Sequence, residues 1–180
     1  MSATTRRILS LITLTGIAAS GAAAGCAAST APTFVYLVRH AEKVIDAGND
    51  DPDLTAAGRA RAEALADTLR SVPLTAIYVT RWKRTQQTAD PVARATGLRP
   101  IQANEPADEL AARIRRDHAA GPVLVVGHSN TVPDLLTALG CGQPQTIGPR
   151  DYDDLFLVIV GRTDPARLIN LHYGRPNDGP

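Results

Sequence analysis

The chain has 180 residues, a formal net charge of +1 and two cysteines. This length suits one domain with a sizeable hydrophobic core. The near-zero net charge argues against a nucleic-acid-binding protein, and no spacing of cysteines and histidines suggests a zinc site.

The first 32 residues are predicted to be an export leader and linker that lie outside the fold. Arg6 and Arg7 form a positive start, residues 8–24 are apolar or small, and Gly25 and Cys26 follow. Residues 23–26 resemble a bacterial lipobox, in which Cys26 is lipidated, although Ala23 stands where a larger aliphatic residue is usual. A membrane-spanning helix fits less well, because the apolar run is short and interrupted by glycines.

The leader predicts a protein of the cell envelope that is attached to the membrane through a lipid on Cys26. Ordinary signal-peptidase cleavage among the alanines is the alternative, which would give a secreted or periplasmic soluble protein. The arginine pair leaves twin-arginine export open as the route.

Strands and helices are predicted to alternate after the leader. Apolar runs predict strands over residues 34–38, 74–79, 98–103, 123–126, 155–160 and 167–173. Helices are predicted to start at Asp53 or Thr55, to run from Lys83 to Thr96 with Gly97 closing it, to open at Glu105, and to follow His128 as far as Gly140. The short connection between the last two strands predicts an antiparallel hairpin.

This alternation predicts an α/β fold: a three-layer α/β/α sandwich whose sheet is mainly parallel, with antiparallel C-terminal strands. The domain is expected to span residues 33–174, and residues 175–180 are expected to form a flexible tail. Cys141 and His172 are expected to be structural, and His118 to face solvent. The charged residues of the first helix are expected mostly to face water: Arg59, Arg61, Glu63, Asp67 and Arg70.

Side chains suited to anion binding follow three of the predicted strands. Arg39 and His40 come directly after the first strand, and His128 comes after the fourth. A basic segment with Arg81, Lys83 and Arg84 follows the second strand. Because open α/β sheets hold ligands at the carboxyl ends of their strands, these residues predict one anion-binding pocket.

Four short motifs together resemble the histidine phosphatase superfamily, the phosphoglycerate-mutase-like proteins. They occur in the family's order and spread over most of the chain after about Thr33. The motifs are Arg39-His40-Ala41-Glu42, Leu54-Thr55-Ala56-Ala57-Gly58, Arg84-Thr85-Gln86-Gln87-Thr88-Ala89 and Gly127-His128-Ser129.

The resemblance implies a role for each matched residue. His40 would be the nucleophile and would carry a phosphoryl group, while Arg39 and Arg84 would clamp the phosphate. His128 would donate a hydrogen bond to a phosphoryl oxygen. The resemblance implies no metal and no cofactor.

Three further residues are candidates for the site. Glu105, just after the third strand, is the candidate general acid, although an acid at a helix start explains it too. Lys43 is close enough in sequence to reach the phosphate, or is a solvated lysine. Asn130 would bind the anion at a helix N-terminus, or would be a plain helix cap.

These expectations describe a metal-independent phosphatase that works through a phosphohistidine intermediate. Its partner would be a phosphorylated small molecule or a phosphoprotein, phosphohistidine included, with the membrane as a further partner through the lipid and no nucleic acid. A mutase of the phosphoglycerate type is one alternative. A non-catalytic envelope lipoprotein that binds a phosphorylated ligand is another.

Overall fold

The computed structural model describes residues 31–119, 121–142, 145–161 and 165–177. Residues 1–30 of the predicted leader, Cys26 included, lie outside the described part of the chain. In the described ranges, none of the helices has the length and apolar character needed to cross a bilayer. The elements in chain order are β1 (Thr33–Arg39), α1 (Ala56–Leu69), β2 (Ala76–Val79), α2 (Lys83–Thr96), β3 (Ile101–Gln102), α3 (Ala107–Asp117), β4 (Val123–Gly127), α4 (Thr131–Ala138), β5 (Asp154–Val160) and β6 (Arg167–His172).

The strands form one sheet in the order β3-β2-β4-β1-β5-β6. The first four strands of this order pair in parallel, whereas β5 pairs antiparallel with both β1 and β6. The predicted sheet, mainly parallel with antiparallel C-terminal strands, is therefore confirmed.

Helices cover both faces of the sheet, which gives the predicted three layers. The central strand β4 is buried along its whole length, as expected for a parallel strand between two helical layers. Helices α3 and α4 pack on one face through Leu110, Ala111, Ile114, Val132, Leu135 and Leu136. Helices α1 and α2 pack on the other face through Leu65, Leu69, Ala89 and Val92.

Two helix ends follow the predicted capping chemistry. Thr55 is the N-cap of α1, and its side chain accepts a hydrogen bond from the backbone N–H of Gly58. Gly97 closes α2 with φ 72°, a left-handed conformation that glycine adopts without steric cost. Both boundaries are as the sequence predicts.

Strands β2 and β3 are shorter than the predicted spans 74–79 and 98–103. Pro100 lacks a backbone N–H and so cannot donate to a ladder at the start of the third strand. Strand β3 is consequently two residues long, although the Ala103 N–H still bonds to the Val79 carbonyl at 2.8 Å.

Two side chains expected to face water, Arg61 and His118, instead make hydrogen bonds inside the domain. Arg61 is only 6% exposed. Its Nε donates to both carboxylate oxygens of Glu42, at 2.9 and 3.0 Å, and pairing explains why a buried arginine is tolerated. His118 is half-buried, because its ring is hydrogen-bonded to the Tyr78 hydroxyl at 2.8 Å.

The C-terminal residues that the structure describes are attached to the domain. Arg61 donates to the Arg175 carbonyl at 2.8 Å. The Asn177 side chain accepts from the Tyr152 backbone N–H at 3.0 Å and also donates to Asp153. Within the predicted flexible tail, residues 175–177 thus make specific hydrogen bonds, and residues 178–180 lie outside the described part.

Candidate active site

His40 and His128 lie side by side because their strands pair in register. Arg39 at the end of β1 faces Gly127 at the end of β4, and the His40 backbone N–H extends this pairing to the Gly127 carbonyl at 2.9 Å. The two imidazole rings that follow are 5.3 Å apart between centroids, edge to face. The structure therefore brings together the two histidines that the sequence singles out.

The surroundings of His40 define which of its nitrogens can react. Its Nδ1 lies 2.8 Å from the Ala41 carbonyl oxygen, which can only accept, so Nδ1 carries the proton and Nε2 keeps a free electron pair. His40 is 4% exposed. Burial, with the nearby positive charges of Arg39 and Arg84, lowers the pKa of His40 to about 3 against the opposing effect of the Ala41 hydrogen bond. The His40 imidazole is therefore neutral at physiological pH.

Arg39 is held by the loop that precedes β5. Its Nη1 donates to the carbonyls of Gly148, Pro149 and Asp151 at 2.8, 3.1 and 3.2 Å. The guanidinium also lies 4.2 Å from the centroid of the Tyr152 ring. These contacts fix the planar guanidinium at the end of β1 without placing a carboxylate on it.

Tyr152 is a site residue that the sequence reasoning missed. Its ring is 6.4 Å from the His40 ring, and its hydroxyl lies 3.4 Å from Arg39 Nη2. Position 152 belongs to a turn-rich loop far along the chain from Arg39. The only sequence signal is an aromatic residue within that loop, and this signal does not indicate where the side chain lies.

Arg84, from the first turn of α2, lies beside both histidines. Its positive charge contributes to the lowered pKa of His40 and of His128, whereas Arg81 contributes to neither. Arg81 is exposed, and its guanidinium carbon lies 4.6 Å from the centroid of the Trp82 ring, so it is at the rim of the site. The guanidinium carbon of Arg84 lies 4.7 Å from the centroid of the same Trp82 ring.

Both arginines carry a buried donor without a partner. The Nε atoms of Arg39 and Arg84 are buried and make no hydrogen bond within the described part of the chain. A buried N–H without a partner is costly, and natural proteins seldom leave one unsatisfied unless a ligand completes it. Two such donors of positive charge beside two neutral histidines form a cradle for an anion with several oxygens.

A chain of hydroxyl groups orients His128. The Thr85 hydroxyl donates to the Trp82 carbonyl at 2.9 Å, so it accepts from the Thr80 hydroxyl 3.0 Å away. The Thr80 hydroxyl then accepts from His128 Nε2, also at 3.0 Å. This assignment places the proton of neutral His128 on Nε2 and leaves Nδ1 for a ligand. Burial, reinforced by Arg84 and Arg39, lowers the pKa of His128 to about 4.

Glu105 and His128 both line a cavity next to the site, but Glu105 is not a free acid. Its carboxylate accepts from Arg113 Nη1 at 2.8 Å. Burial raises the pKa of Glu105, but hydrogen bonds from the backbone and from Arg113 outweigh burial, so that the pKa is lowered overall. Glu105 is thus an ion-paired carboxylate at neutral pH, which argues against the proton-donor role.

The structure does not bring Lys43 and Asn130 into contact with the cradle. Lys43 pairs with Leu54 through its backbone, and among the described residues its side chain makes no hydrogen bond or ion pair. Asn130 is exposed at the N-cap of α4, and its side chain caps no helix N–H. The backbone N–H of His128 bonds instead to the Thr131 hydroxyl at 2.9 Å. Phosphate binding by Lys43 and Asn130 stays a prediction.

The second motif, residues 54–58, lies where the start of α1 contacts the loop after His40. The Thr55 backbone N–H donates to the Glu42 carbonyl at 2.9 Å. The Ala41 N–H, next to His40 in the chain, donates to the Thr88 hydroxyl at 2.9 Å. Helices α1 and α2 thereby both hold the segment that carries His40.

Metal-ligating side chains come together at a different place, on the C-terminal hairpin. In the described ranges, ligand atoms of Asp153, Asp154 and His172 lie within 4.8 Å of one another. Asp153 already accepts from the Asn177 backbone N–H at 3.2 Å and from its side chain. We therefore interpret this group as the attachment point of residues 175–177.

A family model supports the interpretation of the site. Residues 35–112 match the model described as "Histidine phosphatase superfamily (branch 1)". A curated relative, the "Probable phosphoglycerate mutase GpmB" of Yersinia enterocolitica, is 42% identical over 72 residues, which are 37% of this chain and 34% of the relative. The match thus spans about a third of that relative's length.

Solved structures share the fold over most of the chain. The "protein histidine phosphatase SixA complexed with tungstate" superimposes with a TM-score of 0.67 at 20% identity, covering 77% of this chain and 96% of that one. A mycobacterial glucosyl-3-phosphoglycerate phosphatase superimposes with a TM-score of 0.60 at 16% identity, covering 79% of this chain and 100% of that one. At these identities the likeness shows that the chain has the histidine phosphatase fold.

Proposed function

We propose that this chain is a phosphatase of the histidine phosphatase superfamily, which hydrolyses its substrate through a phosphohistidine formed on His40 without a metal ion. One observation carries the proposal. Two buried arginine Nε donors, which have no partner among the described residues, lie beside a neutral histidine whose Nε2 accepts no hydrogen bond from them either. Arginine charge at this place neutralises the phosphoryl oxygens, which is the task that phosphoryl transfer demands of a protein.

The first step transfers the phosphoryl group to His40. The electron pair of His40 Nε2 forms a bond to phosphorus as the bond from phosphorus to the leaving group breaks, and that electron pair departs with the leaving group. His40 retains its Nδ1 proton, so its ring becomes positively charged. The Ala41 carbonyl, which accepts from Nδ1 at 2.8 Å, stabilises that charge.

The second step releases inorganic phosphate. A water oxygen bonds to phosphorus, the P–N bond breaks, and its electron pair returns to His40 Nε2. The excess proton of the water passes to solvent or to phosphate. A bound phosphate dianion next to His128 favours protonation at Nδ1, the nitrogen that Thr80 leaves free, so that His128 donates a hydrogen bond to a phosphoryl oxygen.

The state of Glu105 favours substrates whose leaving group departs without a proton from the enzyme. Its pairing with Arg113 keeps it ionised. Aryl phosphates leave as stabilised phenolates. A phosphohistidine with a proton on its other ring nitrogen leaves as neutral imidazole. We therefore favour a phosphohistidine protein or an aryl phosphate as substrate over an alkyl phosphate.

Steady-state hydrolysis tests this proposal. In EDTA the wild-type domain, lacking residues 1–30, should hydrolyse 4-nitrophenyl phosphate and phosphohistidine, and His40→Ala should not. Glu105→Gln should change kcat for 4-nitrophenyl phosphate by less than about threefold, because an acid that is not used costs little when it is removed. Loss of wild-type activity in EDTA, or a collapse of activity in Glu105→Gln, would contradict the proposal.

We further propose that the protein is exported and attached to the cell envelope through a lipid on Cys26. The positive start, apolar run and Gly25-Cys26 support this. Its substrate would then be met outside the cytoplasm.

A further inference from the structure

A cavity of about 300 Å³ adjoins the candidate active site on the face of the sheet covered by α3 and α4. Three residues that line it belong to the site as well: Thr80, Trp82 and His128. A group attached to a phosphoryl oxygen beside His128 can therefore extend into this cavity. The cavity is thus in position to receive the part of the substrate that departs.

The floor of the cavity is apolar. Tyr78 lines it, and the Tyr78 hydroxyl is hydrogen-bonded to the His118 ring at 2.8 Å. Further apolar lining residues are buried side chains, among them Ala103, Leu110, Val125, Val132 and Leu135. Such a surface stabilises an apolar group by removing it from water.

The size of the cavity fits an aromatic ring. Apolar cavities of about 150 Å³ in other proteins accept benzene. This cavity has about 300 Å³ and therefore has room for a substituted ring or an imidazole with its attached chain.

The described charged residues that line the cavity are acidic residues only. Glu105 and Asp134 line it, and no lysine or arginine is among the described residues that do so. Arg113 neutralises Glu105 from outside the lining, at 2.8 Å, whereas Asp134 is exposed and makes no ion pair there. Positive charge is concentrated instead at Arg39 and Arg84, on the phosphate side. A carboxylate or second phosphate in the cavity would meet no cation and would be desolvated without compensation.

We propose that this cavity selects a neutral or cationic aromatic leaving group, such as imidazole or phenol, and rejects leaving groups that carry a carboxylate or a second phosphate. The proposal rests on the proposed function, because it assigns the leaving-group side of the same site. It implies that a phosphoglycerate-type substrate is disfavoured.

A matched pair of substrates tests the charge preference. 4-Carbamoylphenyl phosphate and 4-carboxyphenyl phosphate have nearly the same shape, and acetyl phosphate serves as a small reference that needs no cavity. The wild type should prefer the carbamoyl compound by about tenfold or more in kcat/KM. Asp134→Asn should reduce that preference about three- to fivefold at low salt, since one repelling charge is removed.

A substitution that fills the cavity with a larger side chain tests whether the leaving group binds there. Ala107 lines it at the start of α3, and Ala107→Phe should lower the ratio of kcat/KM for 4-carbamoylphenyl phosphate to that for acetyl phosphate by about tenfold. Ala112→Phe, on the exposed side of the same helix, is the matched control and should leave the ratio unchanged. Circular dichroism checks that each variant is folded. Asp134→Asn still decides the question if Ala107→Phe does not fold.

The outcomes separate this inference from the proposed function. If the wild type hydrolyses acetyl phosphate but treats the charged and neutral aryl phosphates alike, the cavity does not select the leaving group. An unchanged ratio in folded Ala107→Phe would lead to the same conclusion. If the wild type hydrolyses none of the three compounds, the proposed function is wrong and the inference falls with it.

Discussion

Gly58 lies directly against the backbone of Glu42, which is two residues after His40. A Cβ atom at position 58 would be 2.2 Å from the Glu42 carbonyl oxygen and 3.0 Å from its carbonyl carbon. Backbone atoms cannot move aside as a flexible side chain can, so this helix position requires glycine. The contact explains why a residue of poor helix propensity stands in the first turn of α1.

Gly58→Ala should therefore destabilise the domain although alanine favours helices. The expected loss is about 1–3 kcal/mol in the free energy of unfolding, because α1 must separate from the His40 loop. A lower kcat should accompany this loss. Urea unfolding and hydrolysis of 4-nitrophenyl phosphate measure the two effects. Ala60→Ser, on the exposed side of α1, should stay within about 0.5 kcal/mol of wild type, and equal behaviour of the two variants would refute the close-contact explanation.

Arg84 and Arg81 provide a matched test of the anion cradle. Arg84→Ala should weaken tungstate or phosphate binding by about 1.5–3 kcal/mol, since a charge-assisted hydrogen bond from a buried donor is lost. Arg81→Ala removes an exposed cation that also touches Trp82, and its effect on affinity should be much smaller. Isothermal titration calorimetry of both variants measures this difference. Similar losses for the two would place the wrong arginine in the cradle.

The pH dependence of the free protein follows from the lowered histidine pKa values. His40 and His128 have pKa values of about 3 and about 4, so neither should titrate between pH 5 and 8 in NMR spectra. Binding of phosphate should raise the pKa of His128, because an anion favours the imidazolium. An imidazole titration near pH 6.5 for either residue in the free protein would contradict the burial argument.

The lowered pKa of His40 also makes the free energy of unfolding fall at low pH. An unfolded histidine binds a proton below about pH 6.5, whereas folded His40 stays neutral down to about pH 3, so the unfolded state binds more protons between these values. The stability contributed by neutral His40 is complete above pH 6.5 and is lost as pH falls toward 3. Between pH 7 and pH 4.5 the loss should be on the order of 2 kcal/mol. His40→Gln should show a correspondingly flatter profile in urea unfolding.

Export and lipidation make a separate prediction. Cys26→Ser should move the protein from the membrane fraction to the soluble extracytoplasmic fraction, because a serine at this position cannot carry the lipid. Fractionation of cells that express each form, with immunoblotting, measures the shift. A wild-type protein that is already soluble outside the cytoplasm would show that ordinary cleavage occurs.

The fold and the centre of the site could be predicted because their signals are local. Apolar runs ending in Arg39-His40 and in Gly127-His128 predict two strands of a mainly parallel sheet, and a parallel sheet brings the carboxyl ends of its strands to one edge. The structure shows that these two strands are neighbours. Thr55 and Gly97 likewise predict helix boundaries, because a threonine hydroxyl can cap a helix start and glycine adopts the left-handed conformation at a helix end. These features need no knowledge of distant residues.

The rest of the site depends on long-range contacts. Tyr152 reaches Arg39 across 113 positions of sequence. Arg61 is buried because Glu42 and two C-terminal carbonyls accept its hydrogen bonds, which the charge pattern of α1 alone does not indicate. Glu105 is held by backbone hydrogen bonds and by Arg113, a partner that its position at a helix start does not indicate. In each case the missing information was a tertiary partner rather than a local propensity.

The most direct test of the account is the identity of the phosphorylated residue. Rapid-quench labelling with a phosphorylated substrate, kept away from acid and followed by mass spectrometry, should place the phosphoryl group on His40 in the wild type. His40→Ala should give no phosphoenzyme, whereas His128→Ala should slow the chemistry and still show some label, because its nucleophile is intact. Label on His128 in the wild type, or stable labelling of His40→Ala, would contradict the account.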